Sequence, residues 1–156
     1  MKTERRNSRE AEIARRAVMA TLAAAPGEEL ARLWSAAGLA FEADAVRGPE
    51  TGLVTLRGRM GGGGAPFNVG EATVTRATVR LSTGEVGHAY ALGRDRQKAR
   101  LSAIADAAWQ NPAHRAVIED AIVAPLRAAA QAAENRRDAE TAATRVDFFT
   151  MVRGED

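Results

Sequence analysis

The chain contains no cysteine and only two histidines among its 156 residues. Without thiols there is no disulfide, no thiolate nucleophile, no cysteinyl zinc site and no ordinary iron-sulfur ligation. His88 and His114 alone are too few for a histidine metal site or a catalytic dyad, and the sequence nominates neither a catalytic residue nor a metal ligand. Aromatic residues are 4% of the total, and lysine occurs only at 2 and 98, so 20 of the 22 basic residues are arginine. Against 20 acidic residues the formal net charge is only +2, too small an excess to suggest a nucleic-acid partner in the absence of a recognised binding module. No apolar run approaches the roughly 18 residues of a membrane span. The polar start, Met1-Lys-Thr-Glu-Arg-Arg, has none of the apolar core of a signal peptide. A cytoplasmic protein with no membrane contact is the expectation.

With 46% hydrophobic residues the chain is long enough for one core and short for two. A single domain over 1–156 is expected, with 1–10 as a flexible start. From Ser8 the pattern is helical, with Ala14, Val18, Leu22 and Ala25 on one face. Pro26-Gly27 ends that helix, and Leu30, Leu33, Trp34 and Ala37 repeat on a second that Gly38 closes. The two together predict an N-terminal helical hairpin.

The period then becomes alternating. Strands are predicted over 41–47 and 53–60 with a turn at Gly48-Pro49-Glu50-Thr51, over 69–82 beyond a glycine run at 61–64, and over 85–92 beyond a Thr83-Gly84 hairpin loop. This makes a four-stranded antiparallel sheet and, with the helices that follow, an α+β fold. Strand parity puts Thr75, Ala77, Val79 and Leu81 on one face of the third strand and Arg76 and Arg80 on the other. In the second strand Arg57 and Arg59 oppose Val54 and Leu56. The arginine stripe reads either as the solvated face common in antiparallel sheets or as an anion site. The glycine run lacks a following Gly-Lys-Ser/Thr and leads from strand to strand, which fits a hairpin connection rather than a phosphate loop.

Beyond Gly93 the chain is helical again. Asp95 lies in a first turn, Leu101, Ile104, Ala105 and Ala108 share a face, and Asn111-Pro112 reads as an N-cap with proline at the first helical position. That helix is expected to break at Pro125. Residues 126–144 form an alanine-rich helical arm, polar all round from Glu134 to Glu140. It leads into an apolar C-terminal tail: Arg145, Val146, Asp147, Phe148, Phe149, Met151, Val152 and Arg153. Leaving both Phe in water would forgo on the order of 3–6 kcal/mol, so this tail is expected to be covered, either by the chain's own core or by a partner, and it is the candidate partner interface.

The segments Glu50-Thr-Gly-Leu-Val54, Arg59-Met-Gly-Gly62, Gly70-Glu-Ala-Thr-Val-Thr-Arg-Ala77, Gly93-Arg-Asp95 and Arg145-Val-Asp-Phe-Phe-Thr-Met-Val-Arg-Gly154 closely resemble the PhnG family over roughly residues 12–156. At His88 to Tyr90 the chain departs from the family's Tyr-x-Trp type of pair. The resemblance implies a subunit of the bacterial carbon-phosphorus lyase system. It would assemble with the PhnH, PhnI and PhnJ subunits and the ATP-binding-cassette-like PhnL. It implies support for attack of an alkylphosphonate on ATP, releasing adenine and giving ribose 1-alkylphosphonate 5-triphosphate. The implied role is structural. In the alternative, Arg57, Arg59, Arg76 and Arg80 hold the nucleotide or phosphonate at a subunit boundary. No cofactor is expected on this chain: the complex uses ATP, and S-adenosylmethionine with an iron-sulfur cluster belongs to another subunit. The isolated chain is expected to be capable of self-association through surfaces that other subunits would cover.

Overall fold

The computed structural model describes residues 2–61 and 63–144. The element order is α1 (Lys2–Ala24), α2 (Gly27–Ala36), β1 (Ala43–Arg59), β2 (Pro66–Leu81), β3 (Val86–Leu92), α3 (Arg96–Gln110), α4 (Pro112–Ile118), a π-helical turn (Glu119–Val123) and α5 (Ala124–Ala143). The strands form one antiparallel sheet in the order β1-β2-β3. Helix α3 covers one face of the sheet and is itself wrapped by α1, α2 and α4.

The sheet has three strands, not the four expected. The predicted first and second strands are one, β1, and Gly48-Pro49-Glu50-Thr51 continues it instead of turning. The register slips between Ala45 and Arg47 and again between Arg47 and Glu50, so the chain absorbs the extra residues as bulges. Pro49 has no N–H to donate, but β1 is the edge strand of the sheet, where that donor is not required. The true hairpin connection is the glycine run. Gly61 has φ +60°, and the Gly64 N–H donates to the Met60 carbonyl at 3.2 Å. The Thr83-Gly84 loop closes as expected, with Gly84 at φ +103°.

The expected helical hairpin is not confirmed. Helix α1 starts at Lys2 and packs on α3 and β3, while α2 packs on α3 and the π-helical turn. Pro125 does not break the chain's helical course either. The proline ring conflicts with the carbonyl four residues back. The chain widens by one residue per turn just before it, with the Ala124 N–H donating to the Glu119 carbonyl, and continues as α5. From Arg127 to Thr144 every residue of α5 and its cap is exposed.

The core lies between the sheet and α3. It contains Ala77, Val79 and Leu81 of β2, Ala89 of β3, Ala99, Ala103, Ile104 and Ala107 of α3, Val18 and Leu22 of α1, Leu30 of α2, and Ile118, Ile122 and Val123. Alanine on α3 permits close approach: a Cβ on Gly87 would stand 2.0 Å from the Ala103 carbonyl oxygen, so β3 rests on the helix backbone. Asp95 caps α3, accepting from the Lys98 N–H at 2.8 Å, and Asn111 caps α4, accepting from the Ala113 N–H at 2.9 Å.

Candidate functional site

Among the described residues, the lengths of the elements leave part of the sheet uncovered. Sixteen residues of β2 span about 53 Å at ~3.3 Å per residue, whereas the fifteen of α3 span about 22 Å. Strand β3 pairs only with Val74–Arg80 of β2. The remaining Pro66–Thr73 pairs with Leu53–Arg59 of β1 alone, as a two-stranded ribbon about 26 Å long. None of the ribbon's described residues is buried.

Register and parity fix what each side of the ribbon carries. Glu50, Gly52, Val54 and Leu56 of β1 share the outer face of the sheet, turned away from α3, with their partners Arg76, Val74, Ala72 and Gly70. The register slips between Leu56 and Arg57, where β2 holds one residue more, and this swaps the parity of β2 beyond that point. Gly58 and its partner Phe67 therefore fall on the outer face. Val69 joins them, since a Cβ on Gly58 would meet the Val69 Cγ2 at 2.6 Å. Leu92 stands in register with Val74 and Tyr90 with Arg76, so the same face continues onto β3. Leu56, Phe67, Val69, Tyr90 and Leu92 are all exposed, and Met60 at the tip is 77% exposed.

The four candidate arginines divide into two pairs. Arg76 and Arg80 lie on the outer face over the body, where the Arg76 Nε donates to Glu50 Oε1 at 2.8 Å and Arg47 joins the same carboxylate. Desolvation pushes the Glu50 carboxyl up, but the Arg76 hydrogen bond and the charges of Arg47 and Arg76 outweigh it and hold it below its ordinary value. Arg57 and Arg59 point to the other face, beyond the end of α3. They sit seven and nine residues along β1 from Glu50, or about 23 and 30 Å at the rise of a strand. Arg59 Nη1 donates to the Gly64 carbonyl at 3.3 Å. The candidate interface from Arg145 to Arg153 lies outside the described residues.

Sequence reading missed the buried ionisable groups. Asp106 is fully buried in α3, accepts from Arg15 Nε and Nη2 at 2.8 and 2.7 Å, and accepts the His88 N–H at 2.9 Å. The hydrogen bond to Asp106 raises the Arg15 pKa, against desolvation. Lys98 is nearly buried, donates to the Ala23 carbonyl at 2.7 Å, and is pushed below its ordinary pKa by desolvation, which the Asp95 charge opposes. The available signal was a single acid inside the run Ala103-Ile-Ala-Asp-Ala-Ala-Trp109. The side chain of His88 stands exposed on the outer face, 3.2 Å from the Thr78 hydroxyl.

Two larger hollows flank the core. One of about 390 Å³ lies between the end of α1 and α5, lined by Thr21, Ala25, Leu126, Ala130 and Arg137 among others. Another, of about 460 Å³, is lined by Trp34, Phe41, Glu42, Arg100 and Ile104. Neither gathers the four arginines. No helix among the described residues is long and apolar enough to cross a membrane.

Comparison with known proteins supplies the context for these surfaces. The family described as phosphonate metabolism protein PhnG matches residues 13–154. A curated relative from Rhizobium meliloti (strain 1021) is the alpha-D-ribose 1-methylphosphonate 5-triphosphate synthase subunit PhnG. It is 59% identical over 142 residues, covering 91% of this chain and 90% of that protein. A match across nearly the whole length of both chains, which includes the strands, the ribbon and α3, places this chain in the PhnG family of phosphonate metabolism proteins.

Proposed function

We propose that this chain is the structural and interface subunit of a synthase that makes ribose 1-alkylphosphonate 5-triphosphate from ATP and an alkylphosphonate, with release of adenine. In this reading it works with the PhnH, PhnI and PhnJ subunits and the ATP-binding-cassette-like PhnL. The S-adenosylmethionine and iron-sulfur chemistry belongs to another chain. The observation that carries it is the use to which the buried ionisable groups are put. Asp106, Arg15 and Lys98 are all tied to one another or to backbone groups of neighbouring elements. A carboxylate locked by a two-pronged arginine and a backbone N–H holds elements together and is not free to move protons. The reacting oxygen in such a synthesis belongs to the phosphonate itself, so a subunit whose buried carboxylate Asp106 serves structural contacts is chemically sufficient as a scaffold.

The C-terminal segment Arg145–Arg153 is assigned to partner docking on its composition, five large apolar side chains behind an exposed helix. Deletion of 145–156, followed by co-purification with the other subunits, tests the reading. Loss of partners with an unchanged melting temperature of the isolated chain is expected. Full retention of partners would remove the tail from the interface.

A further inference from the structure

Among the described residues nothing covers either face of the ribbon of Leu53–Arg59 and Pro66–Thr73, and Leu56, Phe67, Val69 and Met60 are exposed on it. Two-stranded ribbons are marginally stable alone in water. A long one with a bare apolar face presents both an unpaired edge and a contiguous apolar patch, which soluble monomers seldom leave uncovered. The patch also has a direction. From Leu92 at the root it runs through Val54 and Leu56 to Val69 and Phe67 along one face, while the opposite face bears Arg57 and Arg59 together with Glu71 and the exposed Leu53.

We infer that this ribbon is the subunit's docking arm, and that its occupant is a different protein chain of the complex presenting an apolar cleft rimmed by carboxylates. The inference rests on the interface-subunit reading and adds to it a surface and a partner chemistry. Charge selects the occupant. Arg57 and Arg59 have no carboxylate within ion-pair distance among the described residues, and Glu71 is the one acidic residue between Thr51 and Thr73. A second copy pairing through the apolar faces would leave Arg57 and Arg59, on the opposite face, without a carboxylate from that contact, whereas a cleft that closes on both faces with an acidic rim pairs them and gains free energy. The length suits the task as well. A ribbon of about 26 Å reaches past the helical layer and enters a cleft that the body cannot.

Two sets of variants test the inference in co-expressed complexes with the PhnH, PhnI and PhnJ subunits. Leu56→Thr, Phe67→Thr and Val69→Thr together remove the apolar band with residues that favour strands. Arg57→Glu with Arg59→Glu reverses the charge. All five side chains are exposed or nearly so, so the isolated variants are expected to keep the circular dichroism spectrum and melting temperature of the parent chain. Each set is expected to lower the recovery of partner subunits by about tenfold or more. Full recovery with both sets, while deletion of 145–156 still releases the partners, would overturn the docking arm and leave the interface reading standing. Full recovery with both sets and with the deletion would overturn both. If the variants abolish only a homodimer measured by sedimentation of the isolated chain and leave the hetero-complex intact, the occupant is a second copy and the assignment fails.

Discussion

Asp106 joins elements that lie far apart in the chain. Its carboxylate is completely buried in α3, yet it holds α1 through the Arg15 guanidinium and β3 through the His88 N–H, so three elements converge on two oxygens. A charge removed from water is tolerated only while its partners are in place. Arg15→Met leaves a buried carboxylate with one backbone donor, and Asp106→Asn leaves a two-thirds-buried guanidinium with a neutral acceptor. Each is expected to cost about 3–5 kcal/mol. The double variant should cost clearly less than the sum of the two, because the second change removes a group already stranded by the first. Urea unfolding of the four proteins measures this directly; additive losses would show that Arg15 and Asp106 contribute independently.

At the scale of elements, β1 shows how far patterning could be read and where it stopped. Alternation in β2 is legible because Thr75, Ala77, Val79 and Leu81 face the core and are buried while Arg76 and Arg80 are exposed. The Gly48-Pro49 pair looks like a turn because those residue types make turns, but an edge strand tolerates a proline and a bulge absorbs the surplus residues. That outcome depends on the neighbouring strand and not on the local sequence. Pro125 gave the same kind of misleading signal, answered by a π-helical turn. The docking surface was half legible. Its arginines and apolar residues were visible, but the register that pairs Glu50 with Arg76, and so puts Arg57 and Arg59 on the face opposite Arg76 and Arg80, and the bulge that brings Phe67 to the face of Leu56, are properties of pairing. The bulged stretch of β1 is clamped by Glu50, held by Arg76 and Arg47. Because the folded Glu50 carboxyl titrates below its ordinary 4.5, its contribution to stability is fully present above that pH and is lost as the pH falls through the folded value. Glu50→Gln is therefore expected to lower the urea midpoint at about pH 7, with the gap from the parent chain closing as the pH is lowered below 4.5. A gap constant with pH would mean that the carboxylate's charge contributes nothing to the clamp.

For the whole molecule, the separation of apolar and charged faces on the ribbon gives assembly a characteristic kinetics. The compact body places its buried charges in structural contacts, while the ribbon carries Arg57 and Arg59 outward, about 23 and 30 Å beyond the Glu50 cluster. Exposed charges at the end of a projecting arm act on approach, where attraction to an acidic rim speeds encounter and is screened by salt over a Debye length of roughly 10 Å. Apolar groups act after contact, because their burial is insensitive to moderate ionic strength and sets how long the arm stays seated. Binding of the immobilised chain to the remaining subunits should therefore associate more slowly by several-fold as salt is raised from about 50 to 300 mM, with dissociation little changed. Arg57→Gln with Arg59→Gln should flatten that dependence, whereas Leu56→Thr with Phe67→Thr should speed dissociation and leave the salt dependence of association as it was. The two responses can be told apart because alternation along β1, with the bulge that brings Phe67 to the face of Leu56, puts the charges and the apolar band on opposite sides of the same two strands. If both variants altered association alone, the apolar face would not be the surface that is buried.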